Sequence, residues 1–360
     1  MFVAWRDLRF AKGRFALMGT VIVLITLLVG LLSGLTAGLA RDNTSALTGL
    51  PADRIAFARP AEGQSVSFTG STVRRAQWEE LARQPGVTRA WPLGIGTVDA
   101  RAGAHSAAVS AFGVAQGSGL APDATAPGTA VLSHGAAAGL GVGAGGTVRL
   151  GGVALRVTAV SGDASYSHTP VVWTDLRDWR SAAPRAASDG GEPTATVVAL
   201  DTGPGYDARA ADRAVGTATT SVQGALEAIG SYQAENGSLQ LMRGFLFVIS
   251  ALVVGAFFTV WTIQRSGDIA VLKALGSSTA YLLRDALGQA VVVLIGGTAA
   301  GTGLAALAGA FVPDDVPFVL DPLTGAGPAA VMAVLGVAGA ALAIRRITAV
   351  DPLTALGSAR

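Results

Sequence analysis

Four long apolar stretches that carry no charged residue constrain this chain more than any other feature. They are residues 15–40, 244–264, 286–313 and 322–344. Each reaches the roughly 20 residues that an α-helix needs to cross the hydrocarbon core of a bilayer. With 51% hydrophobic and only 14% charged residues, the chain is also too apolar for an ordinary soluble protein. The sequence therefore predicts a membrane protein with four transmembrane helices.

The first stretch has a second interpretation as a cleaved signal peptide, with TAGLA as the cleavage site. The apolar region of a signal peptide is usually only about 7–15 residues long. The stretch 15–40 is longer than that, which favours a transmembrane helix that is not cleaved.

Basic residues set the expected orientation, because cytoplasmic loops are enriched in Lys and Arg. Segments 1–14, 265–285 and 345–360 all contain basic residues, whereas the loop 314–321 contains Asp and neither Lys nor Arg. We therefore expect a multi-pass protein of the cell (plasma) membrane with both termini and the connector 265–285 in the cytoplasm. Residues 41–243 are then extracellular.

Composition excludes several classes of function. A net charge of +2 does not indicate a surface for nucleic acid. The absence of cysteine excludes disulfides, zinc–thiolate sites, iron–sulfur clusters and a cysteine nucleophile. The three histidines, His105, His134 and His168, lack the spacing of metal ligands, and no Ser-His-Asp grouping can be identified. We expect no intrinsic cofactor, no metal site and no catalysis within this chain.

The segment 41–205 differs in composition from the apolar stretches and predicts a folded domain. Alternating apolar patterns predict strands at 54–59, 65–70, 106–114, 129–133, 147–150, 153–160, 170–174 and 195–200. One helix is predicted at 72–83. The expected fold class is an α-helical integral membrane protein with four transmembrane helices and one α+β extracytoplasmic domain inserted between helices 1 and 2.

Two further segments have helical patterns. Between Ala208 and Met242 apolar residues recur with the period of a helix, and no strong breaker separates them from the second span. This pattern predicts a stalk helix over 206–243 that leads into the membrane. Residues 1–14 predict an amphipathic helix on the cytoplasmic surface, in contact with membrane lipids.

The connector 265–285 predicts a short helix followed by a stop. The apolar residues on one face of this helix are Ile269, Leu272 and Leu275. Gly276 can end the helix, and Ser277 or Ser278 can cap the next one. Lys273 precedes Gly276, whereas a phosphate-binding loop needs its Lys directly after a glycine. The connector is therefore not an ATP site.

Three motifs resemble those of one known superfamily. The sequence after the second span matches the pattern R-x-x-[DE]-I-[AG]-x-L-[KR]-A-[LI]-G at Arg265, Asp268, Ile269, Ala270, Leu272, Lys273, Ala274, Leu275 and Gly276. The C-terminal sequence matches R-x-x-x-x-x-[DE]-P-[LI]-x-A-L at Arg345, Asp351, Pro352, Leu353, Ala355 and Leu356. The N-terminal WRDLRFAKGRFAL is similar to the opening helix of the same group. With one span, a domain and three more spans, the whole chain resembles the ABC-transporter permeases of the FtsX/MacB superfamily (type VII).

The resemblance implies a homodimer of four-span permeases served by two copies of a separate ABC ATPase, which alone binds ATP. The segment 267–278 would be the coupling helix that docks on the ATPase. The residues expected at this contact are Asp268, Ile269, Leu272, Lys273, Leu275 and Gly276. ATP-driven closure of the cytoplasmic ends would be transmitted through the stalk to the extracytoplasmic domain (mechanotransmission). Substrate would not pass through a central pore.

Within the superfamily, the connector and the compact domain are most similar to haem-exporting permeases of actinobacteria (HrtB-like). Haem efflux is therefore the expected transport function, with haem as the transported ligand. Since cysteine is absent and histidine sparse, the expected haem ligand is Glu235 or Tyr232, which share a helical face with apolar neighbours Leu239 and Met242. The propionates are expected to meet arginine, and the candidates are Arg243 and Arg41.

Other interpretations stay open. Tyr232, Glu235, Leu239 and Met242 follow one another at spacings of 3, 4 and 3 residues, and this spacing is also how two stalk helices pack as a coiled coil. The permease could instead be an FtsX-like mechanotransmitter that regulates a cell-wall hydrolase or a sensor through its domain. Extraction of lipoproteins or peptides is a third alternative.

Overall fold

The computed structural model describes residues 12–184, 194–264, 267, 271, 278–313 and 316–348. The chain divides into two compact units. One comprises Met1–Gly38 and Ser238–Arg360, and the other comprises Leu39–Gly237. Each division point falls within a long helix, and the two units are described separately below.

The helices are α1 Lys12–Thr48, α2 Arg75–Leu81, α3 His134–Leu140, α4 Leu176–Ala182, α5 Ala208–Val215, α6 Val222–Ala225, α7 Gly230–Gln264, α8 Thr279–Gly309 and α9 Pro322–Thr348. Four of them are long and apolar enough to span a bilayer, over Ala16–Thr48, Gly230–Trp261, Leu287–Gly309 and Thr324–Leu342. These are the four transmembrane helices that the sequence predicts. The helix α1 continues beyond residue 40 because residues 41–48 include no proline or glycine.

The strands are β1 Arg54–Ala58, β2 Val73–Arg74, β3 Val87–Ala102, β4 His105–Val114, β5 Thr129–Leu132, β6 Thr147–Leu150, β7 Val153–Val160, β8 Ser165–Tyr166, β9 Thr169–Asp175, β10 Thr194–Ala195, β11 Val197–Thr202 and β12 Thr217–Ser221. All of them lie between α1 and α7, which confirms the α+β domain between the first two transmembrane helices.

The main sheet has the order β12-β1-β11-β3-β4-β9-β5-β7-β6, and β6 also pairs with β3. This additional pairing, Ala100 with Leu150 and Arg101 with Arg149, closes β3, β4, β9, β5, β7 and β6 into a ring. The strands β11, β1 and β12 extend the sheet from β3. Closure matters because a closed sheet leaves fewer unpaired edges than an open one.

One apolar cluster of this domain anchors the ends of the two long helices. It contains Phe57, Phe112 and Tyr166 from the sheet region, together with Leu47 from the end of α1 and Ile229 just before α7. Leu47 is fully buried. Full burial of one such side chain stabilises a fold by roughly 1.5–3 kcal/mol, so the cluster fixes the end of α1 against the sheet.

The stalk prediction over 206–243 is wrong in part. Thr217–Ser221 is a strand paired antiparallel with β1, from Arg54 opposite Ser221 to Ala58 opposite Thr217. Its three threonines are β-branched and favour strands, and Gly216 ends α5 with a φ of 75°. The unbroken helix begins only at Gly230.

Other local expectations also differ from the structure. The predicted helix over 72–83 is shorter, since Val73–Arg74 is a strand and the helix runs over Arg75–Leu81. The predicted strand at 65–70 is absent from this described segment, which is coil and turn. The long strand Val87–Ala102 was not predicted, because Pro92, Gly94 and Gly96 are residues that usually disfavour a strand.

Small residues bring α1 and α8 close together in the membrane unit. A Cβ added at Gly30 would lie 2.7 Å from the Cβ of Ala305, and one added at Gly301 would lie 2.7 Å from the Cβ of Thr26. Such distances leave no room for a larger side chain. Close approach through small residues is how transmembrane helices associate without a hydrophobic driving force.

We expect Gly301→Val to destabilise the membrane unit by about 1–3 kcal/mol, the usual cost of overpacking. Gly303→Val is a matched control on the same helix, because an added Cβ there meets no atom within 4 Å. The thermal midpoint of the purified protein in detergent measures the difference. Equal midpoints for the two variants would contradict the packing described here.

Candidate functional site

Three elements of the α+β domain meet at the turn between β8 and β9. Ser167 and His168 form this two-residue turn, and their φ angles are 51° and 60°. Two successive positive φ angles are typical of a type I′ turn, which usually contains Asn or Gly. Contacts with two helices hold the turn. The Ser167 N–H donates to the Asn43 carbonyl on α1 at 3.1 Å, and its Oγ lies 2.9 Å from Oγ of Ser231 on α7.

His168 bridges two carboxylates that belong to different helices. Its Nδ1 lies 3.0 Å from Oδ2 of Asp42 on α1. Its Nε2 lies 3.0 Å from Oε1 and 2.9 Å from Oε2 of Glu235 on α7. The Glu235 side chain remains 40% exposed, so this carboxylate is held and still reachable from solvent.

Asn43 completes this group, which we call the His168 bridge (Asp42, Asn43, His168 and Glu235). Asn43 is 1% exposed, and its Oδ1 accepts a hydrogen bond of 2.6 Å from the Ser231 hydroxyl. That bond orients the amide so that Nδ2 lies 2.8 Å from Nε2 of His168 and 3.2 Å from Oε2 of Glu235. The NH2 group of the amide therefore lies within hydrogen-bond distance of both His168 and Glu235.

The pKa of His168 is raised above the usual histidine value. Burial by itself lowers this pKa, but hydrogen bonds and charge from Asp42 and Glu235 outweigh burial. The protonated ring can donate to both carboxylates at once. Since the folded pKa is raised, the stabilisation from the bridge is fully present below the ordinary pKa of about 6.5 and is lost as pH rises through the raised pKa.

The bridge is a noncovalent link between the β8–β9 hairpin and the helices α1 and α7. Both nitrogens of His168 face carboxylates, so the ring is not placed to activate a serine hydroxyl. Asp42 and Glu235 lie at opposite nitrogens, and the described part of the chain has no group of three His, Asp or Glu arranged to hold a metal ion. The geometry fits a protonatable link between a hairpin and two helices.

The residues that the sequence proposes for a ligand lie on α1 and α7 in the structure. Glu235 belongs to the bridge, and Tyr232, one turn earlier on α7, packs against the apolar cluster of the domain. Arg41 is exposed on α1. Leu239 and Met242 follow Glu235 on α7, in the part assigned to the membrane unit.

Arg243 is the remaining proposed residue, and its guanidinium carbon lies 5.8 Å from the centre of the Phe247 ring. This cation–π contact lies within one helix. Binding of a ligand by Arg243 therefore stays a prediction.

Sequence reasoning missed three residues of the bridge. Asp42 and Asn43 directly follow the basic residue that ends the first apolar stretch, and His168 is more than 100 residues further along the chain. The available signal was a polar residue, Asn43, shortly after the end of a span. Nothing local in the sequence indicated that His168 would reach it.

The comparison with known families decides the class of this protein. The MacB-like periplasmic core domain matches residues 15–218, which is more than half of the chain. The FtsX-like permease C-terminal domain matches residues 241–352. The chain belongs to the FtsX/MacB family of ABC-transporter permeases. An ABC permease works with an ATPase, so a partner of that kind follows from the family.

FtsX/MacB permeases similar to this one over their full length occur in several bacteria. A protein of Staphylococcus haemolyticus that carries the name hemin transport system permease protein HrtB is 25% identical, over 99% of each chain. An uncharacterized ABC transporter permease of Mycobacterium tuberculosis is 26% identical, again over 99% of each chain. The extracellular domain of the transporter YknZ from Gram-positive bacteria is 15% identical and covers 47% of this chain and 99% of that one, with a TM-score of 0.35.

The connector of this FtsX/MacB permease is only partly described. All six predicted coupling residues lie outside the described residues: Asp268, Ile269, Leu272, Lys273, Leu275 and Gly276. Directly after them, Ser278 caps α8 and its Oγ accepts from the N–H of Tyr281 at 3.3 Å. This confirms one of the two residues that the sequence proposes for that cap.

Proposed function

We propose that this permease expels haem from the membrane, driven by a separate ABC ATPase. The observation that carries the proposal is the full-length similarity to proteins named as hemin transport permeases, over 99% of both chains. A relative that matches only in the coupling motifs would support transport without indicating a cargo. Here the domain between the first two transmembrane helices is matched as well.

Glu235 supplies chemistry that suits this cargo. A tyrosinate oxygen ligates haem iron in catalase, and the partly exposed carboxylate of Glu235 offers an oxygen of comparable kind. Tyr232 lies one helical turn away, and Leu239 and Met242 offer apolar surface for the ring. Arg243 and Arg41 are the cations proposed to meet the propionates.

The working unit in this proposal is a homodimer with two ATPase copies. A two-fold axis would turn one Glu235 into a pair, one from each protomer. The orientation is the one expected from the basic residues, with both termini and the connector in the cytoplasm. Under this orientation Glu235 lies outside the hydrocarbon core on the outer side.

The proposed drive is mechanical. The ATPase would push on the coupling helix, residues 267–278, which directly follows α7. Because α7 continues from Gly230 to Gln264 without interruption, it is about 50 Å long at 1.5 Å per residue. We expect a displacement at its cytoplasmic end to be transmitted along this helix toward Glu235.

Purified protein titrated with haemin tests the cargo. We expect a Soret band that shifts and saturates at a fixed ratio of haemin to protein. Haemin spectra that match those of detergent alone at every ratio would contradict haem as the cargo. A mechanotransmitter that carries nothing predicts that second result.

The connector carries a separate prediction. We expect Leu272→Asp and Lys273→Glu to uncouple the ATPase, reducing haemin export roughly tenfold or more, as expected when a central interface residue worth over 1.4 kcal/mol is lost. Haemin binding by the permease is expected to be unchanged. The measurements are export by the reconstituted complex and ATP hydrolysis in the same vesicles.

Arg101→Glu is the control for this charge reversal, because Arg101 is exposed on the α+β domain. We expect it to leave export and hydrolysis unchanged. Normal export by both connector variants would show that the segment 267–278 does not transmit the stroke.

A further inference from the structure

Five uncharged polar residues connect the end of α1, the β8–β9 hairpin and the start of α7. We call them the serine junction (Asn43, Ser45, Ser165, Ser167 and Ser231). The Oγ of Ser45 accepts a hydrogen bond of 2.9 Å from the N–H of Ser165 and donates to the Ser165 carbonyl at 3.2 Å. The Ser167 N–H donates to the Asn43 carbonyl at 3.1 Å. These contacts hold the hairpin on α1 without a charged group.

Helix α7 joins the junction through one hydroxyl. The Ser231 hydroxyl donates to Oδ1 of Asn43 at 2.6 Å. Because a serine hydroxyl has a single proton to donate, the contact of 2.9 Å between the hydroxyls of Ser167 and Ser231 has Ser167 as its donor. The hydrogen bonds then run in one direction, from the hairpin to α7 and on to α1. Hydrogen bonds in such a chain polarise and strengthen one another.

Apolar contacts join the same three elements. Leu47 of α1, Tyr166 of the hairpin and Ile229 directly before α7 are buried in one apolar cluster of the α+β domain. Tyr232, in the first turn of α7, packs against this cluster. The end of α1 and the start of α7 are therefore connected by polar and apolar contacts at once.

Separation of α1 from α7 at the junction would leave buried polar groups without partners. Asn43 is 1% exposed, and its Oδ1 accepts from α7. A buried group that loses its partner costs more free energy than the hydrogen bond itself contributes. Residues 39–48 of α1 also contain neither proline nor glycine, where sharp helix kinks usually occur. The contacts therefore favour movement of the three elements together.

We propose that the serine junction keeps the end of α1, the hairpin and the start of α7 together throughout the transport cycle, so that the α+β domain follows both helices as one body. Ser231 and Asn43 are positioning residues, because their side chains join α7 to α1. The inference rests on the proposed function only for the ATP-driven displacement of α7. Transport then requires no separation of the two helices at the junction.

The first arm of the test uses a disulfide and needs no haemin. The chain contains no cysteine, so Ser167→Cys/Ser231→Cys introduces the only thiols of the permease. The two oxygens lie 2.9 Å apart, and sulfur atoms in their place need to approach by less than about 1 Å to reach the S–S length of about 2.05 Å. We expect equal rates of disulfide formation in the nucleotide-free permease–ATPase complex and in the complex trapped with ATP and vanadate. A slower rate in the trapped complex, or no disulfide in either, overturns the proposal.

The second arm measures haemin export by the reconstituted complex. We expect Ser231→Ala to lower export about three- to tenfold, the factor that corresponds to the loss of one or two ordinary hydrogen bonds. The reduced double-cysteine protein should show a similar loss, and oxidation of the same purified preparation should restore export. Restoration in protein that is already folded separates positioning from a role in folding. Wild-type export by Ser231→Ala, or export that oxidation abolishes, overturns the proposal.

Two controls accompany these variants. Thr48→Ala is the control for Ser231→Ala, because Thr48 is exposed on α1 and its hydroxyl bonds carbonyls of the same helix. Ser67→Cys/Thr69→Cys is the control for oxidation, because these hydroxyls lie 2.8 Å apart within one loop of the domain. Both are expected to export like the wild type, oxidised or reduced. If the wild type exports no haemin, haem export is wrong, and the rates of disulfide formation alone decide the inference.

Discussion

Glu235→Gln is expected to lower the affinity for haemin about tenfold or more. Loss of an outer-shell partner alone typically costs a metal site roughly 10–100-fold in affinity, and Glu235 is the proposed oxygen ligand itself. The amide keeps the size of the side chain and removes the negative charge that favours ferric iron. Haemin titration of the purified protein, followed by the Soret band, measures this effect.

Glu227→Gln is the matched control, because Glu227 is an exposed carboxylate in the short helical turn just before α7. We expect it to bind haemin like the wild type. Tyr232→Phe distinguishes the second proposed ligand, and a loss there with normal binding in Glu235→Gln would move the ligand to Tyr232. Wild-type affinity in both variants would contradict a haem site on this face of α7.

Trp179→Ala is expected to destabilise the α+β domain by about 3–5 kcal/mol, the usual cost of removing a buried aromatic ring. Trp179 on α4 is fully buried and covers Gly94 and Gly113, which are directly opposite each other on β3 and β4. Neither glycine has a side chain to fill the space that the ring leaves. Thermal unfolding of the full-length protein in detergent measures the loss.

A double-mutant cycle sharpens this prediction. Gly113→Ala should be destabilising in the wild type, because its added Cβ would overlap the Trp179 side chain. In the Trp179→Ala background the same methyl group has room, so its cost should disappear or reverse. Trp179→Phe, which keeps a ring over the glycines, is expected to cost less than alanine. Additive effects of the two changes would show that the ring does not pack on this glycine pair.

The membrane part of the fold could be predicted because it depends on local properties. Length and the absence of charge identify a span from a single stretch of sequence, and all four predicted spans are helices in the structure. The strands of the domain were found where residues alternate, as at Val153–Val160. They were not predicted where a residue that disfavours a strand is required by packing. Gly94 in β3 is the example, because its lack of a side chain makes room for Trp179.

Only one residue of the candidate site, Glu235 on α7, could be predicted from the sequence. Glu235 was found because its helical spacing from Tyr232 is a local pattern. His168 and Asn43 contact Glu235 through the tertiary fold of the domain. No local sequence pattern indicates these contacts. The turn that presents His168 has two positive φ angles at residues other than glycine, which the usual hairpin signals do not indicate. The stalk helix was predicted to begin too early, because its range of 206–243 also covered the strand Thr217–Ser221.

Haemin sensitivity of a strain that lacks this gene tests whether this permease exports haem. We expect growth inhibition at haemin concentrations that the parent strain tolerates. Resistance should return with the wild-type gene, and with Glu227→Gln, but not with Glu235→Gln. A deletion strain that grows like its parent at every haemin concentration would contradict haem export as the function of this protein.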